Sequence, residues 1–120
     1  MRPWTMTRPA RGEVWDVDFA PAVGAEIQKI RPAIVMNVPE VGRLPLAIVV
    51  PVTEWQPEFG LRPWFVPLVP AVDNGLYKKS GADAFQVKSV SLNRFVGRRG
   101  ILSATETDRV TEAIALCVGA

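Results

Sequence analysis

The sequence predicts a mainly β chain with helical decoration: a small β-barrel of five to six short strands followed by a C-terminal amphipathic α-helix. Three observations carry that prediction. Short apolar or alternating runs recur between turn-forming residues from Gly12 onward. All eleven prolines lie at or before Pro70, so only the last fifty residues are free of this helix breaker. No strand–helix–strand repeat runs through the 120 residues, which argues against a parallel α/β sheet and for one barrel around one core.

Residues 1–10 hold two prolines, two arginines and two methionines without apolar periodicity, and read as a flexible N-terminal arm, with Met6 a rival start to Met1. A single domain then spans 11–120. Residues 12–19 alternate, with Trp15, Val17 and Phe19 on one face and Val14, Asp16 and Asp18 on the other, as a half-buried strand requires. Residues 20–31 form a loop that is long for a compact domain, and long loops are often functional. The apolar run 32–38 starts a buried strand at Pro32, where no ladder donor is needed. A turn at 39–45 leads to the most apolar stretch, 46–52, in which Pro51 signals an edge or a bulge. Residues 55–62 read as loop, 64–69 as an edge strand containing Pro67, and Asp73-Asn74-Gly75 as a turn. A further strand is expected over 85–92, then a basic turn at 97–100. Ser103 and Glu106 fit a capping box, and Val110, Ala113, Ile114 and Cys117 recur at helical spacing behind it.

Composition removes several chemistries. With 48% hydrophobic and 22% charged residues the chain is globular rather than disordered. No apolar run approaches the roughly 20 residues of a membrane helix, and the N-terminus lacks the apolar segment of a signal peptide, so no membrane association is expected. The lone Cys117 has no internal disulfide partner, which makes a reducing cytoplasm the expected compartment. The absence of histidine, with one cysteine, excludes a zinc site of the His/Cys type and any histidine-based acid–base pair. No metal or other cofactor is expected. The net charge of +2 is small, but residues 78–99 carry Lys78, Lys79, Lys88, Arg94, Arg98 and Arg99 against Asp83 alone. That segment suits phosphates or an acidic partner, or is simply a solvated face.

Neither a Gly-rich phosphate loop nor a carboxylate pair of catalytic spacing is present. What remains is Arg31, Thr53 and Glu26. If the runs 32–38 and 46–52 pair as an antiparallel hairpin, Pro32 and Val52 meet at one end, and Arg31 and Thr53 become neighbours. Alone, each has a plain structural alternative: an arginine at a strand edge, a β-branched strand residue. Together, an arginine and a hydroxyl can hold an RNA phosphate while the adjacent 2′-OH attacks it, with Glu26 as the candidate base.

The same residues resemble the MazF/PemK family of toxin endoribonucleases, the mRNA interferases of type II toxin–antitoxin systems. Arg11-Gly-Glu-Val-Trp-Asp-Val-Asp-Phe-Ala-Pro21 is similar to the family's opening strand, and Gly24-Ala-Glu-Ile-Gln-Lys-Ile-Arg-Pro32 to its loop motif. Val50-Pro-Val-Thr53, Gly75-Leu-Tyr-Lys-Lys-Ser80 and Gln86-Val-Lys-Ser89 resemble its later segments. The resemblance implies an SH3-like barrel, a homodimer, and metal-independent cleavage of single-stranded RNA without a cofactor. It further implies inhibition by a cognate antitoxin with an acidic tail, and DNA binding by the toxin–antitoxin complex. Arg31 and Thr53 fall on the family's catalytic pair. Gly24, Gln28, Lys29, Trp55, Lys79, Gln86 and Lys88 are the expected RNA-binding residues, with Trp55, Phe59 and Trp64 as candidate stacking surfaces or core. A non-catalytic toxin of the same fold, binding a protein such as DNA gyrase, is the alternative. The sequence departs from the pattern at Phe85, where many members carry an acidic residue, and at Asp83, where some carry a basic one, so the mechanism that uses that pair does not transfer.

Overall fold

A computed structural model describes residues 8–27, 29–41 and 44–120. The chain order is β1 (Glu13–Asp18), β2 (Ile30–Val35), β3 (Leu46–Glu54), β4 (Phe65–Leu68), β5 (Ser80–Asp83), β6 (Lys88–Ser91), β7 (Phe95–Ile101) and α1 (Ala104–Val118). The strands are antiparallel in the order β4-β5-β3-β2-β1-β7, with β6 also on β3. The result is a barrel-like sheet, not fully closed, with one C-terminal helix: the expected class, with seven strands rather than five to six.

Strand β3 is the hub. One edge pairs with β2 at Val49–Pro51, and the other pairs first with β6 over Leu46–Val49 and then with β5 over Val52–Glu54. Pro51 falls at the break between those two partners, where the ladder is interrupted and a missing N–H costs least. The expected interruption is there, but in the most central strand and not at an edge. Pro67 does lie in an edge strand, β4.

Alternation along the central strands feeds two apolar clusters. Val14, Ile34, Val50 and Val52 face one cluster, which Val110 and Ala113 of α1 cover. Val17, Ala33, Val35 and Val49 face the other, with Phe19 and Phe95. The predicted helical stripe is therefore the buried one, and Cys117 is part of it, its thiol pushed up by burial. Ser103 caps α1, its Oγ accepting from Glu106 N at 3.1 Å, and Gly119 ends it in the left-handed conformation.

Several segments differ from expectation, the unexpected strand β5 at Ser80–Asp83 and a 3-10 helix at Pro57–Leu61 within the expected 55–62 loop among them. Residues 97–100 are strand, because Arg98 and Arg99 point to carboxylates across on β1: Arg98 Nε lies 2.9 Å from Glu13 and Arg99 Nε 2.6 Å from Asp16. The expected strand 85–92 splits into a 3-10 turn at Ala84–Gln86, β6, and a second such turn at Leu92–Arg94. Asp83 and Ser91 cause the splits, each accepting a backbone N–H two residues on. The expected flexible arm lies outside the described residues over 1–7. At 8–10 the chain is tied down, with Pro9 buried and Arg8 Nη2 donating to the carbonyls of Leu44 and Leu46. Part of the expected 39–45 turn, residues 42 and 43, is also outside the described residues.

The Asp73-Asn74-Gly75 turn locks β7 to the rest. Asn74 is buried, and its Oδ1 accepts from Ala71 N and Leu76 N while Nδ2 donates to Val69 O. Gly75 has φ +68°, and a Cβ there would sit 2.5 Å from the Arg99 carbonyl oxygen. Gly75→Ala is therefore expected to cost about 3 kcal/mol from strain plus overlap. Gly24→Ala, at φ +60° in open space, should cost about 1–2 kcal/mol. Urea unfolding of the two variants checks the difference, and equal costs would contradict the close approach.

Candidate active site

Arg31 is not the last residue of a loop but the second residue of β2, paired with Val17 of β1. On its other side the β2–β3 register runs Val35↔Val49, Ile34↔Val50 and Ala33↔Pro51. Two steps further in the same register Arg31 faces Thr53, and residues facing each other across an antiparallel pair point to the same side. Both line one cavity of about 170 Å³, together with Glu54, Tyr77, Ser80 and Arg99. The juxtaposition expected from hairpin geometry is therefore present.

The electrostatics of this cavity single out Arg31. Lys78 at its rim pairs with Glu54 at 3.2 Å. Arg99 is held by Asp16 and donates Nη1 to Gly75 O at 2.9 Å, its guanidinium 5.2 Å from the centre of the Tyr77 ring. Among the described residues no carboxylate lies within ion-pair distance of Arg31, which is exposed. An exposed guanidinium on a central strand, without a carboxylate to neutralise it, is a ready anion ligand. Thr53, Tyr77 and Ser80 add hydroxyls around it, although Ser80 Oγ already donates to Lys78 O.

Glu26 is placed elsewhere. It lines a neighbouring cavity of about 240 Å³ with Phe19, Pro51, Phe85, Gln86 and Lys88. Its Oε1 accepts from Val23 N at 2.7 Å and its Oε2 lies 3.9 Å from Lys88 Nζ. The carboxylate that shares the cavity with Arg31 and Thr53 is Glu54. Sequence reasoning passed over Glu54 and Tyr77, and named Arg99 only as part of the basic segment 78–99. For Glu54 the signal was available, since it directly follows Thr53; Arg99 reaches the cavity from β7, and Tyr77 packs against it.

The remaining expected residues divide. Gly24 and Lys29 are exposed in the 20–29 loop, and Lys29 has φ +66°, an unusual backbone for a side-chain-bearing residue. Gln28 lies outside the described residues. Lys79 Nζ sits 5.0 Å from the centre of the Trp55 ring, and Trp55 meets Phe59 edge-on while Phe59 stacks on Phe65 at 3.9 Å. This aromatic group covers Gly81, where a Cβ would meet Trp55 at 3.1 Å and Phe65 at 3.3 Å. Gln86 has both ends of its amide committed within the chain, to Ile27 N and to Asp83. Of the basic segment, Lys78, Lys88, Arg98 and Arg99 have carboxylate partners, and Arg94 donates to the carbonyls of Asp18 and Ala20. Much of that charge is structural. Burial pushes Glu13 up, but Ala10 N, Arg98 and Trp15 outweigh it and hold the carboxyl below its usual range.

Residues 10–118 match the family described as PemK-like, MazF-like toxin of type II toxin–antitoxin system. The chain belongs to that family. Endoribonuclease MazF9 of Mycobacterium tuberculosis is 34% identical over 113 residues, which cover 88% of this chain and 92% of that protein. The crystal structure of MazF (Form-I) from Deinococcus radiodurans superposes with a TM-score of 0.77 at 24% identity, covering 93% of this chain and 97% of that one. An endoribonuclease in complex with its cognate antitoxin from Mycobacterial species gives a TM-score of 0.71 at 15% identity, covering 92% and 95%. These structural likenesses establish the fold.

Asp83 offers a pH test of the structure around the site. It is buried, and burial raises its carboxyl above the ordinary range despite hydrogen bonds from Gln86 and Phe85 N. The folded protein thus holds this proton more tightly than the unfolded chain does. Stability from this group is complete below the unfolded carboxylate value and is lost as pH rises through the raised one. The stability difference between the native protein and Asp83→Asn should accordingly move against the native protein as pH rises from about 3 to 6. Urea titrations across that interval check it, and a pH-independent difference would contradict it.

Proposed function

We propose that this chain is an endoribonuclease toxin that cleaves single-stranded RNA, mRNA in particular, without a metal, and is inhibited by a cognate antitoxin. The observation that carries the reading is Arg31, an anion ligand without a carboxylate partner among the described residues, sharing one cavity with Thr53. Membership of the toxin family and a 34%-identical relative named endoribonuclease support it. No observation favours the gyrase-binding alternative.

The chemistry needs little from the protein. The RNA 2′-oxygen forms a bond to phosphorus while its proton leaves to a base. The bond to the 5′-oxygen breaks, that oxygen takes a proton, and a 2′,3′-cyclic phosphate and a 5′-hydroxyl result. Arg31 balances the charge on the non-bridging oxygens, and Thr53 Oγ1 donates a hydrogen bond to the same phosphate. Glu54, at the same cavity, takes the proton-transfer role that the sequence assigned to Glu26. Gly24 and Lys29 on the loop, Lys88 beside it, and the Lys79–Trp55 pair contact the flanking RNA. A homodimer working in the cytoplasm, and an antitoxin whose acidic tail occupies the RNA-binding surface, complete the proposal. The mycobacterial structure is of an endoribonuclease with its cognate antitoxin, which supports an antitoxin partner. Among the described residues no helix is long and apolar enough to cross a membrane.

Incubating single-stranded RNA with the protein in a chelator should give cyclic-phosphate ends. Arg31→Ala should lower the rate by about 10²-fold or more, as expected for loss of a charge-stabilising group. Intact RNA with the native protein, or undiminished cleavage by the variant, would sink the reading.

A further inference from the structure

The Gln86 carboxamide lies outside the lining of the Arg31–Thr53 cavity. It joins the turn that carries it to a residue 59 positions earlier in the chain: Oε1 accepts from Ile27 N at 2.7 Å and Nε2 donates to Asp83 Oδ2 at 3.0 Å. Asp83 is 6% exposed, and its other oxygen accepts from Phe85 N at 3.2 Å, starting the 3-10 turn that carries Gln86. The chain of bonds has one possible polarity. A backbone N–H can only donate and a carboxylate can only accept, so the side chain between them must accept at one end and donate at the other.

The strut ends on the 20–29 loop. That loop is closed at its base by Phe19 N donating to Lys29 O at 3.0 Å, one residue before β2 begins at Ile30. Its middle is tied to the barrel by Gln86 at Ile27 and by the 3.9 Å Glu26–Lys88 pair. The latter is long and solvent-exposed, and such pairs hold geometry weakly. The neutral, partly buried bond to Ile27 is the directional one.

We propose that Gln86 is a positioning residue: the Asp83–Gln86–Ile27 strut fixes the loop that leads into β2, and through it the setting of Arg31 against Thr53. This rests on the nuclease reading above. It also gives Gln86 a structural role beside the RNA contact expected from its sequence motif, with one acceptor site of Oε1 and one N–H of Nε2 engaged within the chain.

The test uses the full chain in three variants. Gln86→Leu removes the strut. Gln86→Glu sets two acceptors against each other at Asp83. The double variant Asp83→Asn with Gln86→Glu restores every bond with the lower link reversed, since the introduced asparagine would donate to the glutamate and still accept from Phe85 N. Cleavage of single-stranded RNA should fall in kcat by about ten- to a hundredfold in both single variants, the scale of a small misplacement of catalytic groups. KM should stay within about twofold, and the double variant should recover most of the loss. Hydrogen exchange at the Ile27 amide reads the strut without RNA: it should quicken in both single variants and slow again in the double one. Native kcat in Gln86→Leu, or a double variant no better than Gln86→Glu, overturns the positioning role. Unchanged Ile27 exchange overturns the strut itself. Should the native protein leave RNA uncut, the nuclease reading fails while the exchange arm still decides whether the strut exists.

Discussion

Strand β3 offers two edges, and its choice of partners decides how Arg31 and Thr53 meet. On one edge it holds β2 in a register that, continued by two residues, sets Thr53 opposite Arg31. On the other it changes partner from β6 to β5 around Pro51, so its last three residues, Thr53 among them, belong to the β5 side of the barrel. The period of two then does the sorting. Val50 and Val52 go to the cluster under the helix, Val49 goes to the other, and Thr53 emerges where both clusters have ended. A slip of one residue in this register would bury Thr53 and expose Val52, and the apolar pattern forbids it.

The distribution of charge follows the same frame. Pairing of β7 with β1 brings Arg98 to Glu13 and Arg99 to Asp16, so two cations that look available in sequence are committed to holding the barrel together. Arg99 nevertheless reaches the cavity wall, although its guanidinium is paired with Asp16. Arg31 differs because its neighbours across the sheet are Val17 and, by register, Thr53, neither of which can neutralise it. A guanidinium with no carboxylate within ion-pair distance among the described residues, on a strand paired on both sides, is poor for stability and well suited to binding a phosphate.

Much of this was legible in the sequence. The two apolar runs around Pro32 and Pro51 were enough to pair Arg31 with Thr53, because short connections and antiparallel pairing leave few alternatives. The helix stripe and the Asp73-Asn74-Gly75 turn were equally readable, since their signals are local. What failed was whatever depends on a distant partner. Residues 97–100 look like a turn because two glycines flank two arginines. Gly100, however, is small because the Asp73–Asn74 backbone lies against it, and the arginines are strand residues facing β1 carboxylates. Glu26 looked like the natural base because it is the carboxylate nearest Arg31 in the chain, yet the loop folds it towards Lys88. Tyr77 enters the cavity through tertiary packing that no spacing rule encodes.

The central claim is that Arg31 and Thr53 act on one phosphate from facing positions of β2 and β3. A double-mutant cycle on RNA cleavage measures this most directly, comparing Arg31→Ala, Thr53→Val and the two combined under single-turnover conditions. Groups that stabilise the same transition-state charge are strongly non-additive, so the combined variant should be scarcely slower than the worse single one. Losses that multiply would mean the two residues act independently, and would contradict the site described here.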